Sequence, residues 1–267
     1  MTSNVNITVE DEDGRAMSVP IGERFAKFAT KRGRKVTALG VIFDFQAHGK
    51  NITVHSPAHL AVEAWFLEVI EDVPDYFVLV GHMPARGETS EWAPVFETIR
   101  RRHPRVPVFV FGGHTHVRDC TQYDDRSIAI VPGRYMETTA FTSSSLPDNS
   151  VEPLSVSRRY LDGNRRTYQF HAHRMDDFDT PIGLNITDSL LRLACELGIS
   201  RPLGLAPQDL FLGRYAYGHP RSILTEWTHR VIPMTVRDPS RNGPAIFIAQ
   251  AGTLRFDVVS GVPEEPS

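Results

Sequence analysis

Cysteine is nearly absent from this chain: Cys120 and Cys195 are the two in 267 residues. They are far apart in sequence, and whether or not they pair, two thiols in a chain of this size do not make a disulfide framework. Long apolar runs are lacking too, so nothing in the sequence spans a bilayer. The first residues hold no hydrophobic signal segment, which taken alone reads as cytoplasmic. No charge sign dominates. A formal net charge of −3 gives no footing for nucleic acid or an anionic membrane as a partner. What remains is ordinary for a globular chain, 41% hydrophobic and 23% charged, enough for one large domain or two modest ones. Nothing in it specifies an oligomeric state. Three sequons, at Asn6, Asn51 and Asn185, each followed by Ile-Thr, lean the other way, toward the secretory pathway.

The informative stretch is VPVFVFGGHTHVRDC, residues 106–120. Val106, Val108, Phe109, Val110 and Phe111 read as a buried strand. Gly112 and Gly113 end it, and His114 and His116 follow with Thr115 between them. If the chain is still extended there, residues i and i+2 share a side, and both imidazoles face one spot beyond the strand's C-terminal end, where open α/β sheets collect ligands. Residues 76–80, YFVLV, repeat the grammar, with Gly81-His82-Met83-Pro84 next. Two strand ends that each deliver Gly-His predict one site, and His82, His114 and His116 are a plausible metal set because neutral imidazole is a common ligand. His48, His55, His59, His171 and His173 lack that setting and read as surface residues.

The pair Gly81-His82 and Gly113-His114-Thr115-His116 resembles the last two metal motifs of calcineurin-like metallophosphoesterases. With Tyr76 to His82, Phe111 to Cys120, Gly133 to Tyr135 and Gly252 to Asp257, the wording is similar to the 5'-nucleotidase branch of fungal secreted or vacuolar type. The resemblance implies an α/β fold of layered β-sheets flanked by helices (α/β/β/α), then the start of an α+β C-terminal domain. It implies two divalent ions (Zn, Mn, Fe or Mg/Ca), with His82 and His114 on one and His116 on the other. It puts Gly133 and Tyr135 close to the metals and Arg255 on a substrate phosphate. The expected partner is a small phosphorylated molecule such as a nucleotide, and the expected location of the full-length protein is secreted or vacuolar. The family's Asp-X-His, Gly-Asp and Gly-Asn-His-Glu motifs do not occur in the chain. They, and the general-acid histidine among them, are expected upstream of Met1, so the chain reads as a fragment truncated at both ends, with little activity alone. Two further readings stay open: a non-catalytic binding module built on the same fold, and a structural domain holding a single metal.

Read in order, residues 1–174 are the C-terminal portion of the metallophosphoesterase domain. Residues 175–267 are a linker helix and the start of the C-terminal domain. Val36 to Phe45 is predicted as a central strand. One helix opens at Ser56-Pro57, with Leu60, Ala61, Ala64, Trp65, Leu67 and Val69 inward, and another covers Glu91 to Arg102. The strand-helix-strand order predicts parallel pairing of the two histidine strands. Arg100-Arg101-Arg102 reads as a solvated helix end, Arg86 as an exposed loop residue and Cys120 as a packed thiol. Residues 155–161 and 166–173 read as a hairpin about Asp162-Gly163-Asn164. Ile186 to Leu197 and Pro220 to Ile232 read as helices, with Ile223, Leu224, Trp227 and Val231 of the second buried. Ala245 to Ala249 reads as a buried strand.

Overall fold

A computed structural model describes residues 1–134, 136–146, 152–199, 201, 204–238, 240–241, 243–244, 246–248, 254 and 256–261. The chain divides into two compact units, Met1–Phe178 and Asp179–Ser267.

The first unit opens with a hairpin, β1 (Val5–Glu10) and β2 (Ala16–Pro20), and β3 (Phe25–Ala29) and β4 (Lys35–Ile42) follow. Before Ser56 a short strand, β5 (Ile52–Val54), adds to β1 and makes a three-stranded sheet, β2-β1-β5. The helix expected after Ser56 is two, α1 (Pro57–Leu60) and α2 (Ala64–Val69). Ser56 caps the first, its Oγ accepting from the His59 N–H, as its sequence position predicts. Glu63 then breaks the helix in an extended conformation, with φ −63° and ψ 133°. The break lets Leu60 and Phe66 both reach the core. At 3.6 residues per turn a continuous helix would set them about 120° apart. Phe66 is buried, and Leu67, expected inward, is 41% exposed.

The central sheet runs β3-β4-β6-β7-β9-β8, with β6 (Tyr76–His82), β7 (Val108–Phe111), β8 (Arg118–Thr121) and β9 (Ser127–Pro132). The four inner strands are parallel, and β3 and β8 are antiparallel edges. The parallel pairing of β6 with β7 is as expected, with α3 (Ala93–Arg102) between them in sequence. One face is built from alternate positions, Leu39, Val41, Phe77, Leu79, Val108, Val110, Ala129 and Val131. It packs on Leu60, Phe66 and Ile70 and on Trp92, Val95 and Ile99 beside or within α3. Cross-strand partners Val80 and Phe111, of the opposite parity, are 44% and 37% exposed. Arg100 is not a solvated cation. Its guanidinium donates to the carbonyls of His103 and Val106 and pairs with Asp124, closing the turn that leads into β7.

The second antiparallel pair corrects the expected hairpin. Here β10 (Thr138–Ser144) pairs with β11 (Val156–Asp162), and residues Arg165–Ala172 form a helix, α4. Asn164 makes the difference: its side chain accepts from the Thr167 N–H at 2.9 Å, so the residue that would serve a β-turn serves as an N-cap instead.

In the second unit α5 spans Pro181–Glu196 and starts earlier than the apolar periodicity shows, because Thr180 caps it through Gly183 N–H. Its stripe of Ile186, Leu190 and Leu193 is exposed. The second expected helix is a short α6 (Ile223–Glu226) running into a π-helical segment, Trp227–Val236, with Pro233 inside. Ile223 is buried, Leu224 is exposed and Trp227 and Val231 are half-buried. The expected strand at 245–249 is not found in its described residues: Ile246, Phe247 and Ile248 lie outside regular structure and are exposed. Cys120 is half-buried and Cys195 exposed, and both are free thiols.

The N-terminal edge of the central sheet supplies one pH prediction. Asp75 accepts the Lys35 N–H at 2.6 Å and pairs with Arg34, and these contacts, the backbone N–H first, hold its carboxyl below the usual range. A depressed carboxyl adds stability above its unfolded pKa and loses it as the pH falls. In urea titrations the wild type should exceed Asp75→Asn at neutral pH, and the difference should begin to close as the pH falls to the unfolded value of 3.8 and vanish below the lower folded value. A difference that stays constant across that range would refute the assignment.

Candidate functional site

Three neighbouring strands end where the histidines stand. β4 ends at Ile42, whose cross-strand partner is His82 at the end of β6, and Phe43 follows directly. β7 ends at Phe111, and the chain turns through Gly112-Gly113 into His114. Gly112 N–H donates to Ile130 O at 2.9 Å and Gly113 N–H to Met83 O at 2.8 Å, so the two strand ends are tied together just past the sheet. Position 112 requires glycine: a Cβ there would lie 2.5 Å from the Met83 carbonyl oxygen.

The imidazoles of His82 and His114 meet edge to face, 4.9 Å between ring centroids and 85° between planes. Phe43 packs on both, 4.8 Å from His114 and 6.2 Å from His82. The expected route to this meeting was wrong in one respect. His114 and His116 do not share a side through strand alternation, because both have left-handed backbone, φ 73° and 60°. The strand has already ended, and a non-glycine residue held at positive φ carries local strain. Partial burial first, and then the nearby His114 and His116, push the His82 pKa below the ordinary histidine value. All three histidines are exposed, His82 favours its neutral, lone-pair form, and the donor chemistry suits a divalent metal.

Arg86 in the loop after β6 is exposed, as expected, and forms a two-bonded pair with Asp119 of β8. Gly133 follows β9 with φ +102°, and Tyr135 lies outside the described residues. Arg255 also lies outside them, but its flank is fixed: Asp257 accepts from Leu212 N–H at 2.8 Å, and Asp209 holds Ser260 and Arg221. Two contributors escaped the sequence reading. Phe43 had no signal beyond its place in an apolar run. The other is a group comprising His55, His59 and Glu63, whose donor atoms all lie within 4.8 Å of one another; the three-residue gaps between its members were the available sign.

Comparison with known proteins agrees with this architecture. Residues 209–262 match the NAD nucleotidase C-terminal domain family. A protein of Arthroderma benhamiae named "Secreted protein" is 31% identical, over 98% of this chain and 45% of its own length. An uncharacterized protein of Schizosaccharomyces pombe is 30% identical, over 89% of this chain and 44% of its own. The crystal structure of 5'-nucleotidase from Candida albicans superposes with a TM-score of 0.89 at 29% identity, covering 97% of this chain and 48% of that one. The chain thus spans about half the length of the relatives it matches. Its mixed α/β fold and its C-terminal match agree, and over nearly its whole length the chain is similar to a 5'-nucleotidase in fold and sequence.

Proposed function

We propose that this chain carries the histidine portion of a metal-dependent phosphoester-hydrolase site of the 5'-nucleotidase type, acting on nucleotides or related phosphate esters. The observation behind the reading is the meeting of His82 and His114, 4.9 Å apart at the ends of adjacent parallel strands. We assign His82 and His114 to one divalent ion and His116 to a second. Such a pair of ions supplies Lewis-acid stabilisation of phosphoryl oxygens and a nucleophile from water near neutral pH. The chain's own residues contribute the rest: neutral His82 offers a lone pair, Phe43 holds the two rings against each other, and the Gly113–Met83 bond fixes the spacing of the strand ends. Substrate phosphate is assigned to Arg255, which falls inside the segment matched to the NAD nucleotidase C-terminal domain. The full-length protein is placed in the secretory or vacuolar route, with support from the relative named as secreted and from the exposed sequon residues Asn51 and Asn185.

Three imidazoles fall short of the roughly four donors each ion takes. The chain alone is therefore expected to bind metal weakly and to turn over little or no substrate. Manganese binding by calorimetry should be at least ~10-fold weaker in His114→Ala, a loss no smaller than removal of an outer-sphere partner causes. Hydrolysis of a nitrophenyl phosphodiester should stay at the blank rate. Turnover that vanishes in His114→Ala would refute the inactivity of the isolated chain. Metal binding indifferent to both His114→Ala and His116→Ala would refute the site itself.

A further inference from the structure

We propose that His55, His59 and Glu63 form a second divalent-metal site, of the zinc type, sharing no ligand with the histidines at the ends of β6 and β7. Each residue is placed by a separate device. His55 follows β5, with its N–H donating to Asn4 O at 2.9 Å and its carbonyl accepting from Asn4 Nδ2 at 2.7 Å. His59 sits in the single turn of α1, where Ser56 Oγ accepts its N–H at 3.2 Å and buried Pro57 and Leu60 anchor the turn. Glu63 occupies the N-cap position of α2, yet its carboxylate makes no capping bond there. It turns back to His59, 2.7 Å from Oε1 to Nε2.

That contact alone would be an ordinary ion pair between residues four apart. It leaves His55 unexplained. The His55 ring stacks on His59 at 4.8 Å between centroids and 18° between planes, and one donor atom from each of the three residues lies within 4.8 Å of the other two. Two imidazoles and one carboxylate are a three-ligand zinc set, with a fourth position left for water. Bond lengths of about 2.0–2.2 Å place neighbouring ligands about 3.3 Å apart in a tetrahedron. The His59–Glu63 contact would open by about 0.6 Å on that geometry, a rotamer adjustment for side chains that are exposed or half-buried. The ion would then pin the β5–α1–α2 turn onto the segment that Asn4 holds.

The test uses the whole chain carrying His82→Ala, His114→Ala and His116→Ala together, so the fate of the phosphoesterase reading does not enter. Zinc is titrated in competition with a chromophoric chelator, and thermal unfolding is followed with and without zinc. The expected result is one equivalent bound and a raised Tm. Adding His59→Ala or Glu63→Gln should weaken binding at least ~10-fold and remove the rise in Tm. If the triple background does not fold, the otherwise unaltered chain serves, and His59→Ala with Glu63→Gln should lose one equivalent. No zinc bound in the folded triple background, or binding unmoved by both substitutions, would overturn the proposal.

Discussion

Replacing Gly81 by alanine should unfold the strand that delivers His82. The residue lies between Val80 and His82 in β6, opposite Val41 of β4. A Cβ there would overlap the Val41 carbonyl oxygen and stand 2.9 Å from Trp92 Cη2. The first obstacle is backbone in the parallel ladder and the second is a side chain 1% exposed, so neither gives way cheaply in a close-packed interior. The strands must part or Trp92 must leave its place. The expected cost is about 3–5 kcal/mol, at the upper end for a point substitution, against a total stability of about 5–15 kcal/mol. That corresponds to a fall in Tm of about 10 °C, with the metal binding proposed at His82 lost alongside. Calorimetric scans of wild type and Gly81→Ala decide it; midpoints within about 2 °C of each other would mean the β4–β6 contact is looser than described.

Asn4→Ala carries the second large effect. Asn4 is 2% exposed and its amide satisfies three backbone groups at once. Nδ2 donates to Ile42 O and His55 O, both at 2.7 Å, and Oδ1 accepts the Ile42 N–H at 3.0 Å. The side chain therefore closes the end of β4 onto the segment leading to Ser56. Alanine leaves two carbonyls and one N–H without partners. At roughly 1 kcal/mol or more for each unsatisfied group, the loss is about 3 kcal/mol. Asn4→Asp should be worse, because it keeps one acceptor but points a carboxylate at two carbonyl oxygens. Urea unfolding of the two variants tests both the size and the order. If Asn4→Asp were the more stable, the amide's donor role would be refuted.

These two positions show where reading the sequence stopped. The strands of the central sheet were legible because they carry continuous β-branched and aromatic runs, as in 76–80 and 106–111. Gly-His after each strand made His82 and His114 visible before any geometry. Ser56-Pro57 announced a helix start, and it stands where its chemistry put it. The hairpin expected at 155–173 failed because Asp-Gly-Asn suits a turn and an N-cap alike, and only β10, a non-local partner for β11, settled which. At 245–249 the described residues, Ile246, Phe247 and Ile248, lie outside regular structure, since hydrophobicity by itself does not fix a strand.

What the sequence by itself determined is therefore local: the strand runs, the glycines that end them, the helix caps, and the residue types able to hold a metal or a phosphate. What only the tertiary structure decided is which of these meet. The left-handed turns at His114 and His116, the packing of Phe43 on two imidazoles, the three backbone bonds of Asn4 and the convergence of His55, His59 and Glu63 all depend on pairings between segments distant in the chain or on a break inside an apparent helix. Periodicity records which side of an element is apolar. It does not record which neighbour that side will find, because register and strand order follow from the burial of the whole sheet at once.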